Sequence, residues 1–322
     1  MLFATESSRD NFVDIDVGLS AWIVLGVVVF SLLAVDLYRH RDDHEPTPRS
    51  ALLESLAWIT CGIAFGVGVA AVYGGEAFGE YISGYLIEKS LSIDNVFVWS
   101  LLFSTMAIPL RFQHRVLFWG IFGALVLRAI FILAGTALIS RFVWVLVIFG
   151  VFLIFTGFRV VQHRDDEGED AGTAGLSVLK RFMPVTEKYD GHNFTTMIDG
   201  KKTATPLLAA LVVIEFTDVI FAVDSVPAVL AVSNEPYIVF ASNAFAILGL
   251  RAMYFLLADA KERFHYLSHG LGAILIFVGA KMALSLWFHL NTFVSLAIIL
   301  LFVVLAIIFS EIKNRQETLQ NT

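Results

Sequence analysis

The stretch GYLIEKSLSIDNVFVW (residues 84–99) lies inside a run apolar enough to cross a membrane, yet it carries Glu88, Lys89 and Asp94. Composition around it says whether a membrane is the right solvent. The chain is 57% hydrophobic and 16% charged, with a mean hydropathy of +0.77, against about 45–50% apolar and about 25% charged for a soluble domain. That shift marks a polytopic membrane protein. Apolar runs of roughly 20 residues, the length that crosses the hydrocarbon core, fall near 19–38, 51–73, 81–104, 115–135, 139–161, 205–231, 237–258, 266–288 and 291–311. Nine transmembrane helices are expected.

The opening MLFATESSRDNFVDIDVG is acidic and lacks the basic flank of a secretory signal, so the first helix is expected to stay in place. With this helix count, 15 lysines and arginines fall on one side and only Arg9 and Arg141 on the other. The positive-inside rule then puts the N-terminus outside and the C-terminus in the cytoplasm. Cys61 is the single cysteine, which excludes an intrachain disulfide and a cysteine metal cluster, and redox chemistry is not expected. A net charge of −7 with no basic face argues against nucleic acid. The polar segment 162–204, with HRDDEGEDAGTAG, reads as a mobile cytoplasmic linker.

An internal repeat organises the chain. IEKSLSIDNVF (87–97) sets over TDVIFAVDSVP (217–227), which aligns Glu88 with Asp218 and Asp94 with Asp224. LRAIF (127–131) matches LRAMY (250–254), aligning Arg128 with Arg251. GVFLIFTGFR (150–159) matches GAILIFVGAK (272–281), aligning Gly157 with Gly279 and Arg159 with Lys281. Each unit holds three helices, an odd number, so the second enters the membrane upside down. Inverted repeats of this kind place a transport site near the midplane between the units. The fold expected is therefore an all-α membrane protein with about nine helices and two inverted three-helix repeats, helices 3–5 and 6–8. Residues 1–80 form two peripheral helices, 81–161 the first repeat, 162–204 the linker, 205–288 the second repeat, and 289–322 the ninth helix and tail.

Glu88, Lys89, Asp94, Arg128, Glu215, Asp218, Asp224, Arg251 and Lys281 all fall at membrane depth. At roughly 2.5–3.5 kcal/mol each, their unpaired cost is on the order of 20–30 kcal/mol. The basic residues have a bland reading as snorkelling groups or structural ion pairs. The five acids, crowded onto the first helix of each repeat, point instead to a site. Glu88 and Asp94 are six residues apart, as are Asp218 and Asp224, which puts partners about 240° apart around a straight helix. Either the helix unwinds between them and frees carbonyl ligands, or one acid faces the site and the other a counter-ion. Pro227 favours a kink near Val223 and Asp224.

The candidate ligands are all oxygens: Glu88, Asp94, Glu215, Asp218 and Asp224, the amides of Asn95 and Asn243, and the hydroxyls of Thr217 and Ser225. All eight histidines fall in connections or near helix ends. That set disfavours zinc and copper and suits manganese, magnesium or calcium. Five acids against Lys89, Arg128 and Arg251 leave −2, or −1 with Lys281 counted, which does not choose a metal. Whether Asn95 and Asn243 touch the ion or only join helices stays open.

EKSLSIDNVFVW (88–99), IEFTDVIFAVDSVPA (214–228) and SNAFAILGLRAMYFLL (242–257) resemble the TerC family of bacterial inner-membrane proteins, most of all its Alx branch, over about residues 20–310. The resemblance implies manganese(II) export, with Glu88, Asp94, Glu215, Asp218 and Asp224 as the transport site. The expected mechanism is alternating access, driven by proton antiport, since export works against the membrane potential. Glu215 is the candidate proton carrier, because its repeat equivalent, Tyr85, is not an acid. Lys89, Arg128 and Arg251 would serve as counter-ions or gates. No prosthetic group is expected; the partners are the bilayer, manganese(II) and protons. Three rivals remain: a scaffold handing manganese to exported proteins, a tellurite-resistance protein, and an intramembrane enzyme, for which no HExxH or GxSxG motif is present.

Overall fold

The computed structural model describes residues 13–39, 47–142, 144–162, 175–257, 266–285, 287 and 290–320. Eleven helices follow one another: α1 (Leu19–Arg39), α2 (Pro48–Tyr73), α3 (Gly75–Thr105), α4 (Leu110–Arg141), α5 (Val145–Gln162), α6 (175–182), α7 (Pro206–Leu230), α8 (Pro236–Ile247), α9 (Leu250–Leu257), α10 (Leu267–Ala283) and α11 (Thr292–Gln320). Five of them, α1, α2, α4, α7 and α11, are long and apolar enough to cross a membrane, and the bent pair α8–α9 makes a sixth candidate. α5 and α10 are shorter apolar helices. α3 is 31 residues long and carries the charges of the opening stretch.

Local sequence sets the helix ends. Thr47 accepts from the Ser50 amide at 3.2 Å ahead of Pro48 at the first helical position, pairing a side-chain cap with a residue whose missing N–H costs nothing there. Gly74, at φ +92, is the single residue turning α2 into α3, a conformation that other residues reach only with strain.

Helices differ sharply in how much of their surface the protein covers. Half of the apolar window of α7 and 44% of that of α4 are buried, against 17% for α1 and α11. The exposed faces of α1 and α11 show Val24, Val27, Phe30, Leu301, Val304 and Ile308, side chains suited to lipid. The interior holds two main apolar clusters. One joins α3, α4 and α8 around Trp99, Phe103, Leu117 and Phe245; the other joins α5, α7 and α10 around Leu153, Val229, Ile274 and Val278.

α3 packs on α8 and α4 on α7, while α5 and α10 make the most extensive pairing of the molecule. Glycines permit that closeness. A Cβ on Gly150 would lie 2.6 Å from the Gly279 carbonyl oxygen and 2.5 Å from the Ala283 nitrogen; one on Gly272 would lie 2.7 Å from the Gly157 carbonyl oxygen. The two backbones touch, as small residues allow between membrane helices.

Two expectations change. The helices carrying the paired acids do not unwind: α3 runs unbroken through Glu88 and Asp94, and α7 through Asp218 and Asp224. Pro227 falls in the last turn of α7, where the hydrogen bond it removes leaves little helix to disrupt. The break lies instead between α8 and α9, which meet at 41° across Leu248 and Gly249. Gly249 has φ +84, and the Trp58 ring of α2 occupies the space its Cβ would need. Gly249→Ala is expected to cost about 1–2 kcal/mol for the left-handed backbone alone and more for the overlap, seen as a lowered unfolding midpoint. Adding Trp58→Ala should not return the second part in full, because the Trp58 Cβ that alanine keeps would lie 2.5 Å from the new methyl group.

The second change concerns the connection 162–204, whose residues 163–174 lie outside the described ones. From 175 onward it is folded. α6 packs Leu176 and Leu179 toward Leu208, Ala209 and Val212. Strands β1 (Thr195–Ile198) and β2 (Lys201–Ala204) form an antiparallel hairpin. Its Asp199–Gly200 turn has both φ angles positive, at 51° and 73°. An Asp-Gly pair between short alternating runs is a hairpin signal, hidden here by the acidic stretch before it.

Candidate functional site

Arg128 of α4 lies at the centre of the bundle, 1% exposed. Its Nη1 pairs with Glu88 Oε1 of α3 and donates to Asn243 Oδ1 of α8 at 3.3 Å; its Nη2 is 3.7 Å from Asp218 Oδ1 of α7. Glu88 and Asp218, equivalent in the repeat, thus face one guanidinium. Ser92 also donates to Glu88 Oε1 at 3.0 Å, and Asn243 is held by donating to the Val239 carbonyl at 2.8 Å. A buried guanidinium needs such partners, since its fixed fork cannot shed its charge.

The cluster is not fully satisfied. Glu88 Oε2, Asp218 Oδ2 and Arg128 Nε are buried without a hydrogen-bond partner, and so is Ser225 Oγ two turns further along α7. Buried polar atoms left unpaired are rare, and each one asks for an explanation. If all three are charged, two acids and one arginine leave a net charge of −1 in the buried centre, which a divalent ion turns to +1 and which balances only if a further acid such as Glu215 takes part.

The other expected site residues stand apart. Glu215 is half-buried one turn before Asp218, within its electrostatic reach. Its carboxylate fills the space that a Cβ on Gly123 of α4 would occupy. Asp224 accepts from Thr156 Oγ1 of α5 at 3.3 Å. Thr217 donates to its own helix, to the Val213 carbonyl at 2.6 Å. Asn95 is buried on α3. The side chain of Asp94 lies outside the described residues. Among the described residues no group of three or more His, Cys, Asp or Glu converges as if to hold a metal.

Lys89 does not join the acids. Its Nζ donates to the Ala246 carbonyl at 3.0 Å, an oxygen in the last turn of α8. A helix that ends inside a membrane leaves carbonyls that protein must satisfy, and Lys89 serves the break at Gly249. Arg251 departs most from its repeat partner. It donates to Asp36 of α1, at 2.5 Å to Oδ1 and 3.2 Å to the carbonyl, and so ties α9 to the first helix.

Two buried acids were not anticipated. Asp36 falls near the end of an apolar run and reads as a flank. Glu80 precedes the opening stretch and is 1% exposed; it accepts from the Val13 amide at 2.8 Å and from Ser233 Oγ at 2.6 Å. An acid four residues before a buried Gly84 in FGEYISGY was the available signal. Glu235, in the connection between α7 and α8, has a carboxyl held above the usual range by burial and then by nearby Asp14, against the Ile15 amide that lowers it.

These features define a class: a multi-pass integral membrane protein whose core helices are joined by a buried ion cluster. The chain belongs to the TerC family, described as "Integral membrane protein TerC family", which it matches over residues 73–318. It is 46% identical over 295 residues to "Uncharacterized membrane protein STKORF319" of Myxococcus xanthus, covering 91% of this chain and 92% of that one. It is 42% identical over 304 residues to "Putative membrane-bound redox modulator Alx" of Escherichia coli K12, covering 91% and 94%. It is 38% identical over 297 residues to "Uncharacterized membrane protein" of Rickettsia bellii, covering 91% and 98%. No solved structure matches the chain.

Proposed function

We propose that the protein exports a hard divalent cation, manganese(II), from the cytoplasm across a bacterial inner membrane. In this reading nine spans cross the bilayer: α1–α5, α7, the pair α8–α9, α10 and α11, with the N-terminus outside. α3–α5 and α7–α10 form inverted repeats, and the domain limits are those expected from the sequence.

One observation carries the site. Glu88 and Asp218 occupy equivalent positions of the two repeats, share Arg128, and each keeps one buried oxygen unpaired. Carboxylate oxygens are what a hard divalent ion takes. Arg128 then acts as a tethered cation that holds the two acids when no ion is there and yields when one arrives. The glycine contacts support the symmetry. Exchanging the repeats turns the Gly150–Gly279 contact into the Gly272–Gly157 contact, and the α3–α8 packing into α7–α4. Asp94, Asp224, Ser225 and Asn95 extend the path along the same two helices, with Asn243 at the cluster.

Moving a divalent ion out against the potential costs about 2.3 kcal/mol per charge per 100 mV, so export needs coupling, and proton antiport through Glu215 supplies it. Glu215→Gln is expected to leave metal binding in place while flux loses its dependence on a pH gradient; full pH dependence in Glu215→Gln would remove Glu215 from this role.

Nothing in this mechanism needs catalysis. The redox description of the Escherichia coli relative is compatible with it, because moving manganese alters the pool of a redox-active metal, whereas one cysteine provides no dithiol couple. The test is flux of manganese, magnesium, calcium and zinc into liposomes containing the purified protein. Manganese flux that disappears in Asp218→Asn is the expected result. Carboxylate-dependent manganese binding without flux would instead establish a scaffold that delivers the metal to a partner.

A further inference from the structure

α6 and the β-hairpin are idle in the transport reading, but their placement is specific. Gly175, the first described residue of α6, packs against Val213 and Phe216 of α7. Those residues lie seven and ten positions into α7, roughly 10–15 Å along its axis. The described part of α6 therefore runs from beside an apolar spanning helix back toward the hairpin that precedes Pro206. Leu176 and Leu179 face the protein. Val178 and Phe182, one turn apart on another face, are 43% and 81% exposed.

Charge completes the pattern. Lys180 and Arg181 are exposed on α6, and Lys201 and Lys202 are exposed on β2. From α6 to β2 these four bases and Lys188 stand against Glu187, Asp190 and the turn residue Asp199, a net charge of +2 in a chain of net charge −7. The two parts form one unit: the Ala204 amide donates to the Pro184 carbonyl at 2.8 Å, and the Thr186 amide to the Ala204 carbonyl at 2.9 Å. Met197 and Ile198, beside the lysines at the hairpin turn, are 66% and 37% exposed. Exposed apolar side chains beside the start of an apolar spanning helix, with bases around them, match the boundary between acyl chains and anionic headgroups.

We propose that α6 and the β1–β2 hairpin form an interfacial binding surface for anionic phospholipid, with Val178 and Phe182 among the acyl chains and Lys180, Arg181, Lys201 and Lys202 on the headgroup phosphates. The surface selects lipid by headgroup charge.

The test places an environment-sensitive fluorophore on Phe182→Cys in a Cys61→Ser chain, in bilayers containing doxyl-labelled phosphatidylglycerol or doxyl-labelled phosphatidylcholine at equal mole fraction. The expected result is severalfold stronger quenching by the anionic lipid, and equal quenching by the two after Lys180, Arg181, Lys201 and Lys202 are all changed to Gln. Equal quenching in the chain that keeps its four bases overturns the proposal. So does quenching by neither lipid, which means water or a second copy of the chain covers the face; cross-linking of unlabelled Phe182→Cys chains with a thiol-directed bifunctional reagent separates those two. Native mass spectrometry of the unsubstituted protein provides a check free of labels: preferential retention of phosphatidylglycerol, lost in the four-Gln variant, supports the proposal, and retention unchanged by the four substitutions overturns it.

Discussion

Arg128→Met is expected to abolish cation flux and to lower stability by about 3–5 kcal/mol, the cost of removing one partner from a buried ion pair. The reason lies in what remains. Glu88 and Asp218 would face each other at 0% and 2% exposure with no cation between them, and both would have to take up protons to stay buried. Arg128→Lys should do less damage to stability, since the charge is kept, yet it loses the fork that reaches Glu88, Asp218 and Asn243 together. The triple variant Arg128→Met, Glu88→Gln, Asp218→Asn separates fold from function. Replacing an entire buried ion cluster by neutral groups is often close to neutral for stability, so its unfolding midpoint in detergent should recover much of the loss. Its flux in liposomes should not. Flux through the triple variant would refute the proposed site.

The second large effect is expected at the α5–α10 crossing. Gly157→Val and Gly279→Val each place branched carbons against the backbone of the facing helix, where the Cβ alone would come within 2.8 Å and 2.7 Å of a carbonyl oxygen. A backbone cannot swing aside as a side chain can, so the helices must separate. A loss of more than about 3 kcal/mol is expected for each, above the usual 1–3 kcal/mol for overpacking. Gly26→Val and Gly68→Val, where a Cβ meets nothing within 4 Å, are the controls and should be near neutral. Equal effects at Gly157 and Gly279, which the repeat alignment makes equivalent, are what a two-fold relation between the repeats requires. A large effect at one and none at the other would count against it.

The membrane class and the positions of nearly every helix were legible because hydropathy is local: about 20 apolar residues in a row dictate a helix in lipid whatever else surrounds them. The repeat is expected for a related reason, since charged residues are costly inside a membrane and here recur at matched spacing. The break in the second repeat was not. Pro227 gave the louder signal and Gly249 the quieter one, but Pro227 sits in a final turn, whereas Gly249 has Trp58 of another helix pressed against its open side. The folded hairpin at 195–204 was masked in the same way, by reading the composition of 162–204 as one average.

What the sequence determined by itself was a family and a membrane, together with the presence of several acids inside apolar runs. What it could not determine was which charges meet. Arg128 and Arg251 are equivalent by alignment, and sequence reasoning gave them one role. In the structure Arg128 joins Glu88 and Asp218, while Arg251 joins Asp36. The physical reason is that α1 and α2 occur once. They lie against one side of a nearly symmetric core, so equivalent positions meet different neighbours, and a buried charge takes its role from the partner that tertiary packing puts within reach.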